Sequence, residues 1–196
     1  MEQIKDRREL LMVIAGGKMY TFEDILALPE GERAELIDGE MFMMASPTRR
    51  HQDASGWFFA QIFNYIQGKK GKCRVYASQF AVFPKKDDKN YVEPDLTIVC
   101  DRDKLDNRGC NGAPDLVIEV VSPSSIKMDY ERKLKLYQES GVEEYWIVDL
   151  EKERVRVYRF TEDIQERDYS LTDTVKVGIY EDLELDLREL REYLEG

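Results

Sequence analysis

The sequence predicts an α/β (α+β) domain built on a central mixed β-sheet with helices on its faces. Three observations carry that expectation. The run Leu116-Val117-Ile118-Glu119-Val120-Val121 is dense enough in apolar residues to be a strand covered on both sides. Apolar residues recur at helical spacing on either side of it, in Trp57–Ile66 and Ile126–Tyr137. Turn signals at Asp38-Gly39 and Lys85–Asn90 separate shorter strand-like runs. With 196 residues, 42% apolar and 11% aromatic, the chain fits a single domain with one substantial core and is not disordered throughout.

The elements follow in order. Thr21, with Asp24 three residues on, caps a short helix that Pro29 and Gly31 end. Glu32–Ile37 and Met41–Met44 flank Asp38-Gly39 as a hairpin. After Ser46-Pro47, the positions Trp57, Phe58, Ala60, Ile62, Phe63 and Ile66 mark a helix that Gly68 closes. Arg74–Phe83 and Val92–Val99 read as strands, Asp101–Gly112 as a polar loop, and Asp115–Val121 as the buried central strand. A helix spans Ile126–Ser140 with Gly141 past its end. Glu144–Val148 and Arg154–Phe160 are further strands, and Leu183–Leu194 reads as a hairpin remnant with a terminal helix.

Composition excludes several classes. No apolar run is long enough to cross a membrane. The charged start, Met1–Arg8, leads only into the short apolar run Leu10–Ala15, too little for a secretory signal. Cys73, Cys100 and Cys110 are odd in number with no CxxC spacing, which argues against a disulfide framework or a structural zinc site. The expectation is a cytoplasmic, reducing setting. Forty acidic residues against 29 Lys+Arg give a net charge of −11, which counts against a polyanionic partner taken globally. The charge is uneven, however: Ala54–Lys86 holds no acid and carries Lys69, Lys70, Lys72, Arg74, Lys85 and Lys86.

The first residue that asks for a chemical explanation is Glu119, a carboxylate inside an apolar strand. A buried carboxylate is costly unless paired or bound to metal. It is either one end of an ion pair or part of a site. Asp95, just after Pro94 at the start of the preceding strand, is placed to meet it if the two strands are neighbours about 4.8 Å apart. Asp115 competes, but four strand residues put it about 13 Å from Glu119 along the chain, too far to share one ion. It reads as structural. On the following helix, Ile126, Tyr130, Leu134 and Tyr137 form an apolar stripe, with Lys133 on its flank and Lys135 pointing away. An inward lysine beside a strand carboxylate is either a neutralising partner or a catalytic cation.

These residues carry a resemblance. Glu93-Pro94-Asp95-Leu96, Gly112–Ser124, Lys133-Leu134-Lys135-Leu136-Tyr137 and Gly141–Asp149, with Glu35–Glu40 and Ser46-Pro47 before His51, resemble the Uma-type putative restriction endonuclease family of the PD-(D/E)XK nuclease superfamily. The resemblance covers about Tyr20 to Phe160. It implies a restriction-endonuclease-like core over residues 20–160, with an N-terminal helix and a C-terminal extension, in one domain spanning 1–196. It further implies Mg²⁺ or Mn²⁺ at the end of two adjacent strands, held by Asp95, Glu119 and the backbone carbonyl of Val120. Val121 stands where the motif lysine belongs, and the resemblance assigns that role to Lys133 on the following helix. Glu35 matches the N-terminal acid of such sites, and His51 and Gln79 are candidates for a supporting shell.

The chemistry fits these residue types. Phosphodiester hydrolysis needs a Lewis acid with hard oxygen ligands. It also needs a cation to orient water or offset developing charge. Lys69, Lys70, Lys72 and Arg74 then offer a phosphate-positioning surface, or else a solvated loop after a helix. The expected activity is metal-dependent cleavage of DNA, with a homodimer as a route to cutting both strands. The alternative is a nuclease-fold protein without activity that binds nucleic acid or protein. Val121 and the net charge favour that alternative.

Overall fold

The computed structural model describes residues 18–160 and 163–196, so the expectations for Met1–Ala15 lie outside the described residues. Helix α1 (Phe22–Leu26) opens with the Thr21 N–H donating to Asp24 Oδ2 at 2.9 Å. β1 (Ala34–Ile37) and β2 (Glu40–Met43) pair antiparallel around Asp38 and Gly39, both at positive φ, 50° and 78°. An Asp-Gly turn accepts that conformation and matches the strand twist. Helix α2 (Arg49–Gly68) is capped by Thr48, whose side chain accepts the His51 N–H. β3 (Arg74–Ala77), β4 (Val82–Phe83), β5 (Leu96–Val99), β6 (Cys110–Asn111) and β7 (Leu116–Val120) follow. Helix α3 begins as a π-helical stretch, Met128–Lys133, and continues as α-helix through Leu134–Ser140 to a left-handed Gly141. β8 (Glu144–Asp149), β9 (Arg154–Arg159), β10 (Gln165–Ser170), β11 (Thr174–Lys176), β12 (Glu184–Asp186) and α4 (Leu187–Glu195) complete the chain.

The central sheet has six strands in the order β10-β9-β8-β7-β5-β3. It is mixed: β7 and β8 run parallel, and every other neighbouring pair is antiparallel. The parallel pair requires a crossover, and α3 supplies it. Every residue of β7 is buried, as its apolar density predicts. Because side chains alternate, Leu116, Ile118 and Val120 enter the core shared with α2 and α4, where Phe58, Ile62, Leu187 and Leu190 pack. Val117 enters the opposite core with Leu136 and Tyr137 of α3. Glu119 has the parity of Val117, so it faces α3.

Several boundaries differ from the sequence reading. The run expected as one strand over Arg74–Phe83 breaks after Ala77: β3 pairs with β5, while Val82–Phe83 pairs with Cys110–Asn111 inside the supposed loop. The strand expected over Val92–Val99 is in register only from Leu96, since Pro94 has no N–H to give a ladder. β10 escaped notice because five of its six residues are exposed and give no apolar signal.

Helix α3 turns inward one residue earlier than its predicted stripe. Asp129, Lys133, Leu136 and Tyr137 are buried, whereas Ile126 is 44% exposed. The wide turn sets that phase. The cysteines also differ from expectation, because Cys73 and Cys100 form a disulfide. The register Arg74↔Val99 puts the residues just beyond those two opposite each other, which spacing alone did not reveal. Cys110 is free and buried.

Candidate active site

The sheet register builds the site. Leu96 is opposite Ile118 and Thr97 opposite Val117, so one further step places Asp95 opposite Glu119. Asp95 lies one residue before the paired stretch of β5, and its carboxylate reaches the end of β7 and the first turn of α2. Asp95 Oδ2 accepts the Val120 N–H at 2.7 Å and lies 3.1 Å from Nε2 of His51. Its own carbonyl accepts the Ser78 N–H at 3.1 Å. His51 sits in the first turn of α2. Burial works against its positive charge, but Asp95 and the Val120 backbone outweigh that and raise its pKa.

Glu119 is 4% exposed, and so are Lys133 and Glu35. Lys133 Nζ lies 2.9 Å from Glu119 Oε1 and 2.9 Å from Glu35 Oε1. Tyr137 OH donates to the same Glu119 Oε1 at 2.8 Å. Two donors thus load one oxygen of Glu119. Its Oε2, like Oδ1 of Asp95, accepts no hydrogen bond among the described residues. Burial pushes the Glu119 carboxyl well above the usual carboxylate range; Lys133 opposes this, and Asp95, Asp129 and Glu35 add to it. Burial also works against the charge of Lys133, but Glu119, Glu35 and Asp129 outweigh it and keep the ammonium protonated far above its usual pKa.

Behind this group, Glu35 Oε1 accepts the Glu93 N–H at 2.9 Å. The Glu93 carboxylate is held in turn by Arg33 and by the Tyr91 hydroxyl. The segment that leads into Asp95 is therefore tied to the strand that carries Glu35.

Asp95, Glu119, Lys133, Glu35 and His51 come together. Gln79 is exposed in the loop after β3, one residue beyond the Ser78 N–H that meets Asp95. Lys135 is exposed and pairs with Glu139 at 3.6 Å, as its position on the helix predicted. Asp115 accepts the Cys100 N–H at 2.7 Å and is not among the residues gathered around Glu119.

The basic stretch is elsewhere. Lys69 caps the C-terminal end of α2 and pairs with Asp182, and Arg74 starts β3 opposite Val99, at the far end of β5 from Asp95. Lys70 and Lys72 lie exposed between them. Eighteen residues of helix separate His51 from Lys69, about 27 Å at 1.5 Å per residue. Sequence reasoning missed Tyr137, which it assigned to an apolar stripe, and Asp129. The signal for both was present in their spacing from Lys133, four residues to either side.

The residues fit a divalent ion of the magnesium kind. Among the described residues, Glu119 and Asp95 each keep one oxygen that accepts no hydrogen bond. Among the described residues, no three His, Cys, Asp or Glu side chains sit together as a direct chelating group. Mg²⁺ suits such a set, since it binds through one or two carboxylates and retains water.

A mixed sheet with acids at the ends of adjacent strands and a buried lysine on the crossover helix defines a protein of the restriction-endonuclease-like fold. A crystal structure described as a putative nuclease belonging to DUF820, from Anabaena variabilis ATCC 29413, shares this fold at a TM-score of 0.71 and 20% identity, covering 89% of this chain and 98% of the other. The profile of Uma2, "Putative restriction endonuclease", matches residues 22–188, and the chain belongs to that family. It is also 27% identical over 134 residues, 67% of this chain and 68% of the relative, to the uncharacterized protein slr1290 of Synechocystis sp. (strain PCC 6803 / Kazusa).

Proposed function

We propose that the chain is a Mg²⁺- or Mn²⁺-dependent endonuclease that hydrolyses phosphodiester bonds in DNA. The observation that carries this reading is the contact of Lys133 with Glu119, 2.9 Å apart and both buried, where Asp95 stands opposite Glu119. Asp95, Glu119 and the Val120 carbonyl would hold the ion, which when bound supplies Lewis acidity toward a phosphoryl oxygen and lowers the pKa of water.

The remaining work falls to the chain's own groups. Lys133, kept protonated by its carboxylate neighbours, orients the attacking water and offsets charge that develops on the phosphate. Tyr137 fixes Glu119, and Glu35 fixes Lys133. His51 holds Asp95 through Oδ2 and leaves Oδ1 for the ion. The displacement of the lysine from Val121 to the helix preserves the cation next to the acid. That juxtaposition favours an enzyme over a binding module that merely keeps the fold.

The test is cleavage of single-stranded, double-stranded and branched DNA at low salt, with Mg²⁺ or Mn²⁺ and with chelator. Low salt is chosen because a protein of net charge −11 binds DNA best there. Metal-dependent products from the wild type, lost in Asp95→Ala, support the proposal. Metal binding at the site without cleavage of any substrate would favour the non-catalytic reading.

A further inference from the structure

Asp129 is a fourth acid beside this cluster, and the proposed mechanism gives it no role. It lies on the π-helical stretch four residues before Lys133 and is 3% exposed. Its Oδ2 accepts from Ser125 Oγ at 2.6 Å, and its Oδ1 accepts nothing among the described residues. The backbone is pinned: its N–H donates to Ser125 O at 2.9 Å and its carbonyl accepts from Tyr145 OH at 3.0 Å. Asp129 forms no ion pair among the described residues, although Lys133, Glu35 and Asp95 act on its charge and it acts on Glu119 and His51. Burial pushes its carboxyl up to about 6.

A purely structural acceptor would be served as well by a neutral side chain, without the cost of a buried carboxylate with one free oxygen. Among the described residues no three side chains form a direct chelating group, so Asp129 is placed one shell out from Asp95 and Glu119. Mg²⁺ keeps several waters when it binds. Acids one shell out accept hydrogen bonds from such waters, and their loss weakens metal binding 10–100-fold.

Resting on the proposed metal-dependent reading, we infer that Asp129 is a positioning residue for the divalent ion: its free oxygen accepts from the ion's water shell, and Ser125 aims it. The test is calorimetric titration of the full chain with Mn²⁺, alongside thermal melts of the metal-free proteins. Asp129→Asn is expected to bind Mn²⁺ about 10–100-fold more weakly while melting no lower than wild type. Glu131→Gln, which removes the same charge from the exposed side of the helix, is expected to bind as wild type does. Equal Mn²⁺ affinity in wild type and Asp129→Asn overturns the inference and leaves the proposed function standing. So does a lowered melting temperature with unchanged affinity, the mark of a structural acceptor. Absence of Mn²⁺ binding by the wild type is the distinct outcome that overturns the metal-dependent reading itself.

Discussion

Lys133 and Tyr137 meet on one atom, Oε1 of Glu119, at 2.9 and 2.8 Å. They lie one helical turn apart, so the same stretch of α3 brings both the cation and the hydroxyl to the strand. The other oxygen of Glu119 accepts no hydrogen bond among the described residues. The acid is gripped from the helix side alone.

Removing the cation separates binding from chemistry. Lys133→Ala is expected to keep Mn²⁺ bound and to cut the cleavage rate by about 10²–10⁴, the usual size of a proton-transfer or charge-offsetting contribution. Lys135→Ala, at an exposed position, is expected to cleave at the wild-type rate. Equal losses in the two variants would mean that surface charge, and not the buried ammonium, matters.

Removing either acid acts one step earlier. Asp95→Ala and Glu119→Gln are expected to lose Mn²⁺ binding in calorimetry, and cleavage with it. Both leave the register of β5 and β7 intact, so circular dichroism should remain that of the wild type. Tight Mn²⁺ binding by either variant would place the ion elsewhere.

Tyr137→Phe isolates the hydroxyl. It takes one donor from a buried carboxylate while Lys133 stays, and the expected loss of stability is about 1.5–3 kcal/mol in urea unfolding. A neutral result would show that Lys133 alone satisfies Glu119.

The acid cluster sets a pH trend. The Asp129 carboxyl rises from 3.8 to about 6 on folding, and Glu119 moves in the same direction. The folded state therefore binds more protons than the unfolded one in the window between about 4 and 6, and stability falls as pH rises through it. His51, also raised, carries the same sign just above that window. The metal-free protein should melt higher at about pH 5.5 than at about pH 7.5. Saturating Mn²⁺ should reverse the order, because its ligands must be deprotonated.

The disulfide gives a prediction remote from the site. Cys73 and Cys100 close a loop with a sequence separation of 27. Loop-closure entropy for that length is worth about 3–4 kcal/mol. Reductant should lower the melting temperature of the wild type and leave Cys73→Ser, already lowered, unmoved.

Much of this was legible in the chain. The apolar density around Glu119 predicted a strand buried on both faces, and β7 is one. Pro94 before Asp95 and the Asp-Gly turn fixed two edges of the site, and the inward flank of α3 pointed to Lys133. What escaped had weak local signals. The π-helical stretch adds a residue to a turn without any marker in composition, so the inward face came one position early and Asp129 went unseen. Tyr137 looks apolar in a periodicity count and discloses its hydroxyl's partner only once α3 packs on β7. The lysines at the end of α2 fell into an acid-free segment that reads as one patch, yet a long helix carries them away from Asp95. The Cys73–Cys100 bond depends on β3 lying beside β5, a pairing between distant segments.

The parallel pairing of β7 and β8 has one further consequence. A lysine at position 121 would be indexed by the strand itself, two residues from Glu119, in a pleat that tolerates no slip. Lys133 instead rides on the return segment between two parallel strands, so its reach is set by residue count along that segment. Each residue turns a helix by about 100°, and deleting one from Met128–Lys133 would restore an ordinary α-helical turn and swing the ammonium away from the acid. The segment that supplies the cation is thus under a length constraint as strict as any side-chain identity in the cluster, even at positions whose own side chains touch nothing.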